Sequence, residues 1–310
     1  MRQYVSHEEP DKNGLLHITG QDFKYLKNVL RIAPGDMLPV RLPDGSLINS
    51  TVSKINKDSR LIILQICSEN KSGADTDSSR EINRGVQAST IEGENSGVDY
   101  YLFQVIAKPV KMEMIIRQAV ECGVKYIVPV IGEYSQKSSV QALQGGKSDR
   151  FERIIKEARQ QSGSPVETVV KEPVTLQAAL EFWKAETADC FAEENKPCGE
   201  VAGDEACGES SVCAEPENVS LTEKKPCAVA FSLWERSEKS VRMDKIIRGK
   251  NIQKAALCVG CEGGISPSEI EELYEGGFLP VHFEGNILRC ETASLYGIAA
   301  LQTNIRNEKE

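Results

Sequence analysis

The spacing of apolar residues changes along the chain and divides it into two parts. In residues 1–69, short runs of alternating apolar and polar residues predict strands, and a helix is predicted at residues 20–30. The predicted strands are residues 37–42, 47–55 and 60–67. One helix among several short strands indicates a small β-barrel.

From residue 98 onward, short apolar runs alternate with stretches whose apolar residues recur at helical spacing. The apolar runs predict strands at residues 100–107, 126–130, 167–170, 228–232, 255–259 and 278–283. Helices are predicted at residues 111–122, 148–162, 176–184 and 241–247, after residue 266, and through residues 295–301. Strands that alternate with helices form parallel sheets, so this part is predicted to be an α/β domain.

Two segments lack apolar periodicity. Residues 70–97 are rich in Ser, Gly, Asn, Asp and Glu, which predicts a flexible linker. Residues 186–225 carry eleven acidic residues and interrupt the alternation of strands and helices, which predicts an acidic, disordered insertion in a surface loop. The predicted organisation is therefore a barrel domain at residues 1–69, a linker at 70–97 and an α/β domain at 98–310.

The net charge of −9 argues, taken alone, against binding to nucleic acid. The negative charge is concentrated, however, because residues 186–225 contribute −8 and residues 70–97 contribute −2. The rest of the chain is close to neutral. A local basic face is therefore compatible with this composition.

Several classes of protein are disfavoured by the sequence. It has no run of about 18 apolar residues that would cross a membrane and no apolar stretch at its start, so a cytoplasmic protein is expected. Its three histidines are isolated, and the five cysteines between residues 190 and 227 form no C-x2-C or C-x4-C pair, so no metal site is expected. The other cysteines, expected to be small buried residues, are Cys67, Cys122, Cys258, Cys261 and Cys290.

The stretch with the clearest chemical pattern begins at the predicted strand 255–259. That strand ends in the turn Gly260-Cys-Glu-Gly-Gly264, and glycine lets a backbone turn sharply or approach a ligand closely. Residues 266–269, Ser-Pro-Ser-Glu, then predict the start of a helix with a capping box. This arrangement is typical of a loop that binds a small molecule.

A second turn of the same kind follows at short range. The predicted strand 278–283 leads to Asn286-Ile-Leu-Arg-Cys-Glu-Thr-Ala293, whose last residues enter a helix. Each turn exposes backbone N–H groups at a helix start, and such groups bind polar ligands. Ordinary βα turns of an α/β domain have the same pattern, but two of them within fifty residues favour a binding site.

Five stretches resemble the RsmE family of ribosomal-RNA methyltransferases, which belongs to the SPOUT superfamily. Gly260–Gly264 and Asn286–Ala293 resemble the family patterns GPEGG and LGxRILRxETA. The other three matches are Lys108 with Lys111-Met-Glu113, similar to K-x2-K-M-E; Glu157–Gly163, whose start is similar to EA-x-EQS; and Val29–Asp36, similar to VLR-x3-GD. The resemblance therefore extends over both predicted domains.

The resemblance implies the fold and the chemistry. The expected fold is a parallel α/β sheet with a C-terminal trefoil knot, preceded by a PUA-like RNA-binding β-barrel. The expected methyl donor is S-adenosylmethionine (SAM), held by the loops after strands 228–232, 255–259 and 278–283. The expected partners are 16S rRNA in the small ribosomal subunit and a second copy of the chain in a homodimer.

The resemblance also implies site residues. Those expected to hold the donor are Leu233, Val259, Gly260, Gly263, Gly264, Phe283, Ile287, Leu288, Glu291 and Thr292. Those expected to contact RNA are Arg2, Arg31, Lys108 and Lys111, since cationic side chains suit phosphate oxygens. Solvated cations at helix ends would have the same pattern.

Enzymes of this family methylate the ring nitrogen N3 of a uridine. The pKa of that nitrogen is close to that of a tyrosine hydroxyl, about 10, so a catalyst needs mainly to favour the anion and align it with the methyl group. Arg289 is expected to stabilise the negative charge that develops on uracil. Glu262 is expected to act as a base or an orienting group, although a carboxylate that only caps nearby N–H groups would fit the same position.

Six positions depart from the family pattern. They are Cys261 in GPEGG, Gln160 in EQS, Glu284 and Asn286 before ILR, and Tyr134 and Ser164, where the family often carries arginines. Fewer arginines mean fewer phosphate contacts. The alternative is therefore a catalytically weak or inactive RNA-binding or ribosome-assembly protein of the same fold, and a smaller alternative is an enzyme with another RNA target.

Overall fold

The computed structural model describes residues 3–67, 97–144, 148–191, 226–236 and 239–307. Arg2, residues 70–96 of the predicted linker and residues 192–225 of the predicted insertion lie outside these ranges. The chain forms two compact units. The first consists of Met1–Ser96, Glu113–Lys125 and Gly146–Val169, and the second of Gly97–Met112, Tyr126–Gly145 and Val170–Glu310.

The elements follow one another in this order. The strands are β1 (Tyr4–Val5), β2 (Leu15–Ile18), β3 (Met37–Arg41), β4 (Leu47–Asn56), β5 (Leu61–Ile66), β6 (Asp99–Val105), β7 (Tyr126–Ile131), β8 (Val169–Val170), β9 (Val174–Thr175), β10 (Pro226–Leu233), β11 (Asn251–Val259) and β12 (Phe278–Val281). The helices are α1 (Gly20–Lys24), α2 (Pro109–Glu121), α3 (Lys137–Gln144), α4 (Ser148–Ser162), α5 (Leu176–Glu186), α6 (Ala188–Phe191), α7 (Met243–Ile247), α8 (Pro267–Glu275) and α9 (Cys290–Asn307).

The first unit contains a five-stranded sheet in the order β1-β3-β4-β5-β2. Only β1 and β3 are parallel, and the other neighbours are antiparallel. Leu26, Val40, Ile62 and Leu64 are fully buried in its core. The sequence pattern predicted β3, β4 and β5, whereas β1 and β2 contain too few residues for a period of two to be recognised.

The helix predicted at residues 20–30 has two parts. After α1, one π-helical turn covers Tyr25–Val29. Arg31 follows with φ of 56°, in the left-handed region that side chains other than glycine seldom adopt. This conformation ends the helix and leaves the Arg31 side chain exposed.

The first unit also includes α4, which the predicted boundaries at residues 69 and 98 had assigned to the α/β domain. The backbone N–H of Gln3 donates to the carbonyl of Gln160 at 3.0 Å. Lys156 Nζ pairs with an Asp22 oxygen at 2.7 Å. Periodicity cannot reveal this association, because Lys156 and Asp22 are 134 positions apart.

The second unit is built on parallel strands in the order β12-β10-β11-β6-β7, and β9 also pairs with β7. On one side, the rings of Phe103 and Phe278 meet edge to face with centroids 5.2 Å apart. Helix α9 lies directly on β10 and β11, because a Cβ on Gly297 would be 2.7 Å from side chains of Leu233 and Leu257. The predicted parallel α/β sheet is confirmed, and the knot stays a prediction.

Two predicted boundaries are wrong. The strand predicted at 278–283 ends at Val281, so Phe283 belongs to the following loop. The predicted start of the insertion, residue 186, is too early, because Glu186 belongs to α5 and α6 follows it. The Tyr101 hydroxyl donates to Glu186 at 2.6 Å, and Lys254 Nζ pairs with Asp189 at 3.1 Å, which fixes these residues to the sheet.

The cysteines outside the acidic segment differ from one another. Cys258, Cys261 and Cys290 are buried as predicted, but Cys67 is exposed and Cys122 is half-buried. Cys67 lies one residue beyond the end of β5, where side chains no longer alternate between the core and solvent. Within the described ranges, no three potential metal ligands cluster, and no helix has the length and hydropathy needed to cross a membrane.

The start of α8 has the predicted capping box. Ser266 Oγ accepts a hydrogen bond from the Glu269 N–H at 3.2 Å, and Glu269 Oε2 accepts one from the Ser266 N–H at 2.9 Å. The second carboxylate oxygen of Glu269 accepts the Glu133 N–H at 2.8 Å. The capping box therefore also holds the loop that follows β7.

We expect Ser266→Ala to lower the free energy of unfolding by about 1 kcal/mol, because the Glu269 N–H then loses its buried acceptor. Urea denaturation followed by circular dichroism measures the change. Thr303→Ala is the control, since the Thr303 hydroxyl is exposed and bonds only within α9; its effect should stay within about 0.5 kcal/mol. Equal losses in the two variants would contradict the role of the cap.

Candidate active site

A cavity of about 420 Å³ lies at the edge of the second unit where three neighbouring strands end. Its walls include Leu233, Val259 and Val281, which are the last residues of β10, β11 and β12. Parallel strands place their carboxyl ends at one edge, so the three loops that follow them meet there. The cavity occupies the position at which open α/β sheets usually bind ligands.

The wall after β11 is a tight turn that requires glycine. A Cβ on Gly260 would lie 2.5 Å from the backbone carbonyl carbon of Gly264, a distance no side chain tolerates. Gly264 itself has φ of 81°, and its N–H donates to the Cys261 carbonyl at 3.0 Å. A Cβ on Gly263 would be 2.8 Å from the Tyr134 side chain, so Tyr134 packs against the outside of the turn.

The opposite wall is the loop between β12 and α9. Gly285, with φ of 117°, turns the chain, and residues 285–290 all border the cavity. Ile287 is 83% exposed, and Arg289 is also exposed. The Arg289 guanidinium has no ion-pair partner among the described residues, so its charge is available to a ligand.

A cluster of charged groups lies beside the cavity. Lys111 Nζ is 2.9 Å from Glu291 Oε2 and 3.9 Å from Glu262 Oε1. Glu262 Oε1 also accepts the backbone N–H of Lys108 at 3.2 Å. The start of α2, the glycine turn and the start of α9 are therefore linked through one ammonium group and two carboxylates.

This cluster shifts the pKa values of its members. The hydrogen bond to Glu291 raises the pKa of Lys111. Burial on its own would raise the pKa of Glu291, but the hydrogen bond from Lys111, together with others, outweighs burial and lowers that pKa. Both groups are therefore charged at neutral pH, and the pair loses its attraction in acid, as Glu291 becomes protonated, and in strong base, as Lys111 loses its proton.

Two thiols border the same cavity. Burial raises the pKa of Cys261, and it raises the pKa of Cys290 to about 12. Cys290 Sγ lies 3.7 Å from Lys111 Nζ, but this nearby cation does not offset the burial. Both thiols are protonated at neutral pH, and a thiol in that form is a poor nucleophile.

The structure places most of the predicted donor-binding residues together around the cavity. The residues that border it are Leu233, Val259, Gly260, Gly263, Gly264, Phe283, Ile287 and Leu288, together with the predicted catalytic residues Glu262 and Arg289. Glu291 and Thr292 do not border it. Cys290 and Ala293 are three positions apart and face the cavity from one side of α9, so the two residues between them point elsewhere.

The predicted RNA contacts are less closely grouped. Lys111 borders the cavity and pairs with Glu291, whereas Lys108 is exposed. Arg31 belongs to the first unit, and Arg2 lies outside the described residues.

Several residues of the cavity wall were not predicted. They are Lys111, which was expected to contact RNA, and Trp234, Glu235, Cys261, Val281, His282, Gly285, Asn286, Cys290 and Ala293. Trp234, Glu235 and His282 come directly after β10 and β12, so the rule that ligands gather at strand ends would have found them. His282 Nδ1 is 3.3 Å from the Trp234 carbonyl, which ties these two loops together.

The positions that depart from the family pattern lie in different surroundings. Gln160 and Ser164 are buried in the first unit, where the Gln3 side chain donates to the Ser164 carbonyl at 3.4 Å. Tyr134 packs on the glycine turn, and Cys261 is buried within it. Glu284 and Asn286 are exposed in the loop before α9.

Two family models match the chain. The one described as an RNA methyltransferase domain matches residues 94–217 and 211–302, and the one described as an RNA methyltransferase PUA domain matches residues 18–65. The first match includes both walls of the cavity. The second covers most of the five-stranded sheet, so the predicted PUA-like unit is confirmed.

Two relatives and one solved structure that share a name are similar to most of this chain. Ribosomal RNA small subunit methyltransferase E from Aquifex aeolicus is 27% identical over 266 residues, which cover 84% of this chain and 91% of the relative. The protein of that name from Bacillus subtilis is 23% identical, and the matched residues cover 92% of this chain and 88% of the relative. A crystal structure of that methyltransferase from Neisseria gonorrhoeae, bound to S-adenosyl methionine, is 20% identical in sequence. The match covers 98% of this chain and 97% of that chain, with a TM-score of 0.63, which shows a similar fold.

We expect iodoacetamide to label Cys67 much faster than Cys261 or Cys290 in the native protein at pH 8. Cys67 is exposed, whereas burial and the raised pKa leave the other two with little reactive thiolate. Peptide mass spectrometry measures the labelled fractions, and labelling in denaturant shows that every site can react. Native labelling of Cys290 at the rate of Cys67 would contradict the raised pKa.

Proposed function

The chain belongs to the RNA methyltransferase family, and from this premise we propose that it transfers a methyl group from SAM to N3 of a uridine in 16S rRNA. The observation that carries the proposal is the cavity where β10, β11 and β12 end, whose two walls are the glycine turn and the start of α9. Relatives that are named for methylating small-subunit rRNA cover most of the chain and support the choice of substrate.

We assign the two tasks of such an enzyme to different parts of the chain. Residues 1–69 would bind RNA through the PUA-like sheet, and residues 98–310 would bind SAM and carry out the transfer. The segment 70–97 would be a linker, and the acidic residues that follow α6 would be an insertion. A trefoil knot and a homodimer, which rest on the resemblance, and a cytoplasmic location complete the proposal.

The cavity fits SAM in size and chemistry. Ligand sites typically measure about 300–1,000 Å³, and this cavity lies in that range. Leu233, Val259 and Leu288 offer apolar surface for adenine, and backbone groups of the glycine turn offer polar contacts. Glu235 and Glu262 place carboxylates on the same wall, which suits a ligand with a cationic sulfur.

When bound, SAM would supply an electrophilic methyl group, and the chain would orient the uracil that receives it. Arg289 has a free guanidinium at the cavity edge and would stabilise the negative charge that forms as N3 loses its proton. Because Arg289 precedes α9 directly, the helix fixes its backbone while the side chain reaches outward.

Glu262 would act on the same nitrogen. One of its oxygens already accepts the Lys108 N–H, which leaves Oε2 to take the N3 proton or to orient the N3–H bond. Lys111 pairs with Glu291 and lies near Glu262, so we propose that it holds these carboxylates in place and does not contact phosphate. Lys108 and Arg31 remain the described candidates for phosphate contacts.

The thiols argue against a covalent route. A mechanism in which cysteine attacks the pyrimidine ring requires a thiolate, and burial keeps both Cys261 and Cys290 protonated. Direct transfer to a ring nitrogen needs no such nucleophile. This supports N3 as the acceptor atom over a ring carbon.

The deciding experiment incubates the purified protein with radiolabelled SAM and small ribosomal subunits from cells that lack the uridine modification. Digestion of the RNA and chromatography then identify the labelled nucleoside. We expect label in 3-methyluridine. Label in another nucleoside would replace the proposed target, and subunit binding without any label would favour the alternative of a non-catalytic RNA-binding protein.

In the same assay, we expect Arg289→Ala to lower kcat by roughly a hundredfold or more, since it removes a charge that stabilises the transition state. Arg248→Ala is the matched control, because Arg248 is exposed in the second unit away from the cavity. It should retain the activity of the unchanged protein. Full activity of Arg289→Ala would remove the proposed catalytic role.

A separate prediction tests the glycine turn. We expect Gly260→Ala to abolish SAM binding in calorimetry, because the new Cβ would overlap the Gly264 backbone. Gly276→Ala is the control: its Cβ would also lie 2.5 Å from an atom, but that atom belongs to the flexible Leu180 side chain, which can move. Unchanged SAM affinity in Gly260→Ala would show that the turn does not form the binding wall.

A further inference from the structure

One polar side chain lies inside the sheet behind the cavity. Gln104, near the end of β6, is 0% exposed and does not border the cavity. Its neighbours Phe103 and Val105 are buried apolar residues. Burying an amide among apolar side chains is unfavourable unless every polar atom is bonded, so the partners of Gln104 explain its presence.

The Gln104 amide is fully bonded. Its Nε2 donates to the carbonyls of Val105 at 3.0 Å, Gly260 at 3.1 Å and Val259 at 3.3 Å. Its Oε1 accepts the Ser294 hydroxyl at 2.6 Å. Because carbonyl oxygens surround one end and a hydroxyl donor meets the other, the orientation of the amide is unambiguous.

Three of these partners lie on or beside the two walls of the cavity. Val259 and Gly260 are the end of β11 and the first residue of the glycine turn. Ser294 lies one turn into α9, and its hydroxyl is also 2.8 Å from the carbonyl of Cys290, the first residue of the helix. One amide therefore connects the glycine turn to the start of α9.

We propose that Gln104 and Ser294 form a positioning pair that sets the separation of the two walls and thereby the affinity for SAM. The choice of SAM as ligand rests on the proposed function. Neither residue touches the cavity, so the pair acts only through Val259, Gly260 and the first turn of α9. A pair with a purely structural role would affect stability without affecting the exchange of these walls or the affinity of the folded protein.

The two roles are separable, because replacing both partners of a buried hydrogen bond by apolar groups can leave stability nearly unchanged. The variants are Gln104→Met, Ser294→Ala and the double variant. The matched control is Ser232→Ala: Ser232 is also 0% exposed, lies on β10 of the same sheet, and its Oγ has no hydrogen-bond partner among the described residues.

Calorimetry with SAM is the first measurement, at a temperature where melting curves show every variant folded. We expect Gln104→Met to raise the Kd roughly tenfold, and Ser294→Ala to raise it several-fold. In the Gln104→Met background, adding Ser294→Ala should have little further effect, because the bond is already lost. Ser232→Ala should bind as the unchanged protein does.

Hydrogen exchange of the SAM-free protein is the second measurement. We expect faster exchange at the amides of residues 261–264 and 291–294 in the Gln104 and Ser294 variants, and no change in Ser232→Ala. Unaltered exchange and affinity in folded Gln104→Met would overturn the inference. If the unchanged protein fails to bind SAM, the proposed function fails, and the exchange data still decide whether the pair positions the walls.

Discussion

The common edge at which β10, β11 and β12 end constrains the rest of the second unit. Because the strands are parallel, three successive loops leave the sheet at one place and must turn within a small volume. The turn after β11 does so only because Gly260 lacks a Cβ. Helix α9 then lies on β10 and β11 through Gly297, which brings its first turn back to the same edge. The cavity is the space that these close approaches leave.

Polar contacts hold this edge together from both sides. On the solvent side, Lys111 draws Glu262 and Glu291 toward one ammonium group, where partial exposure weakens each attraction. On the buried side, the amide of Gln104 bonds three carbonyls and one hydroxyl without exposure to solvent, where such bonds are electrostatically stronger than in water. The buried contacts therefore define the shape of the walls, and the exposed ones orient charged groups upon them.

Local chemistry made much of this architecture predictable. The glycine turn and the cap at Ser266 depend only on residues that are close in sequence, and apolar periodicity located most strands and helices. What could not be predicted depends on residues far apart in the chain. In the sequence, Lys111 resembles a phosphate contact, and only the structure shows that it pairs with Glu291. Gln104 belongs to no sequence pattern that indicates its role. Glu291 and Thr292 do not border the cavity and stay predictions as donor contacts, because a motif gives residue order, whereas the turn of α9 decides which side chains face the cavity.

An acidic protein can bind RNA through those basic side chains that are not paired with its own carboxylates. Lys111 and Lys156 pair with carboxylates of their own units, so a count of basic residues overstates the charge available to phosphate. Arg31 and Arg289 have no such partner among the described residues, and both are exposed at the ends of helical segments. Lys108 is exposed as well and its ammonium group pairs with no carboxylate in the ranges that the structure describes, so single exposed cations are available to phosphate although the chain as a whole is acidic.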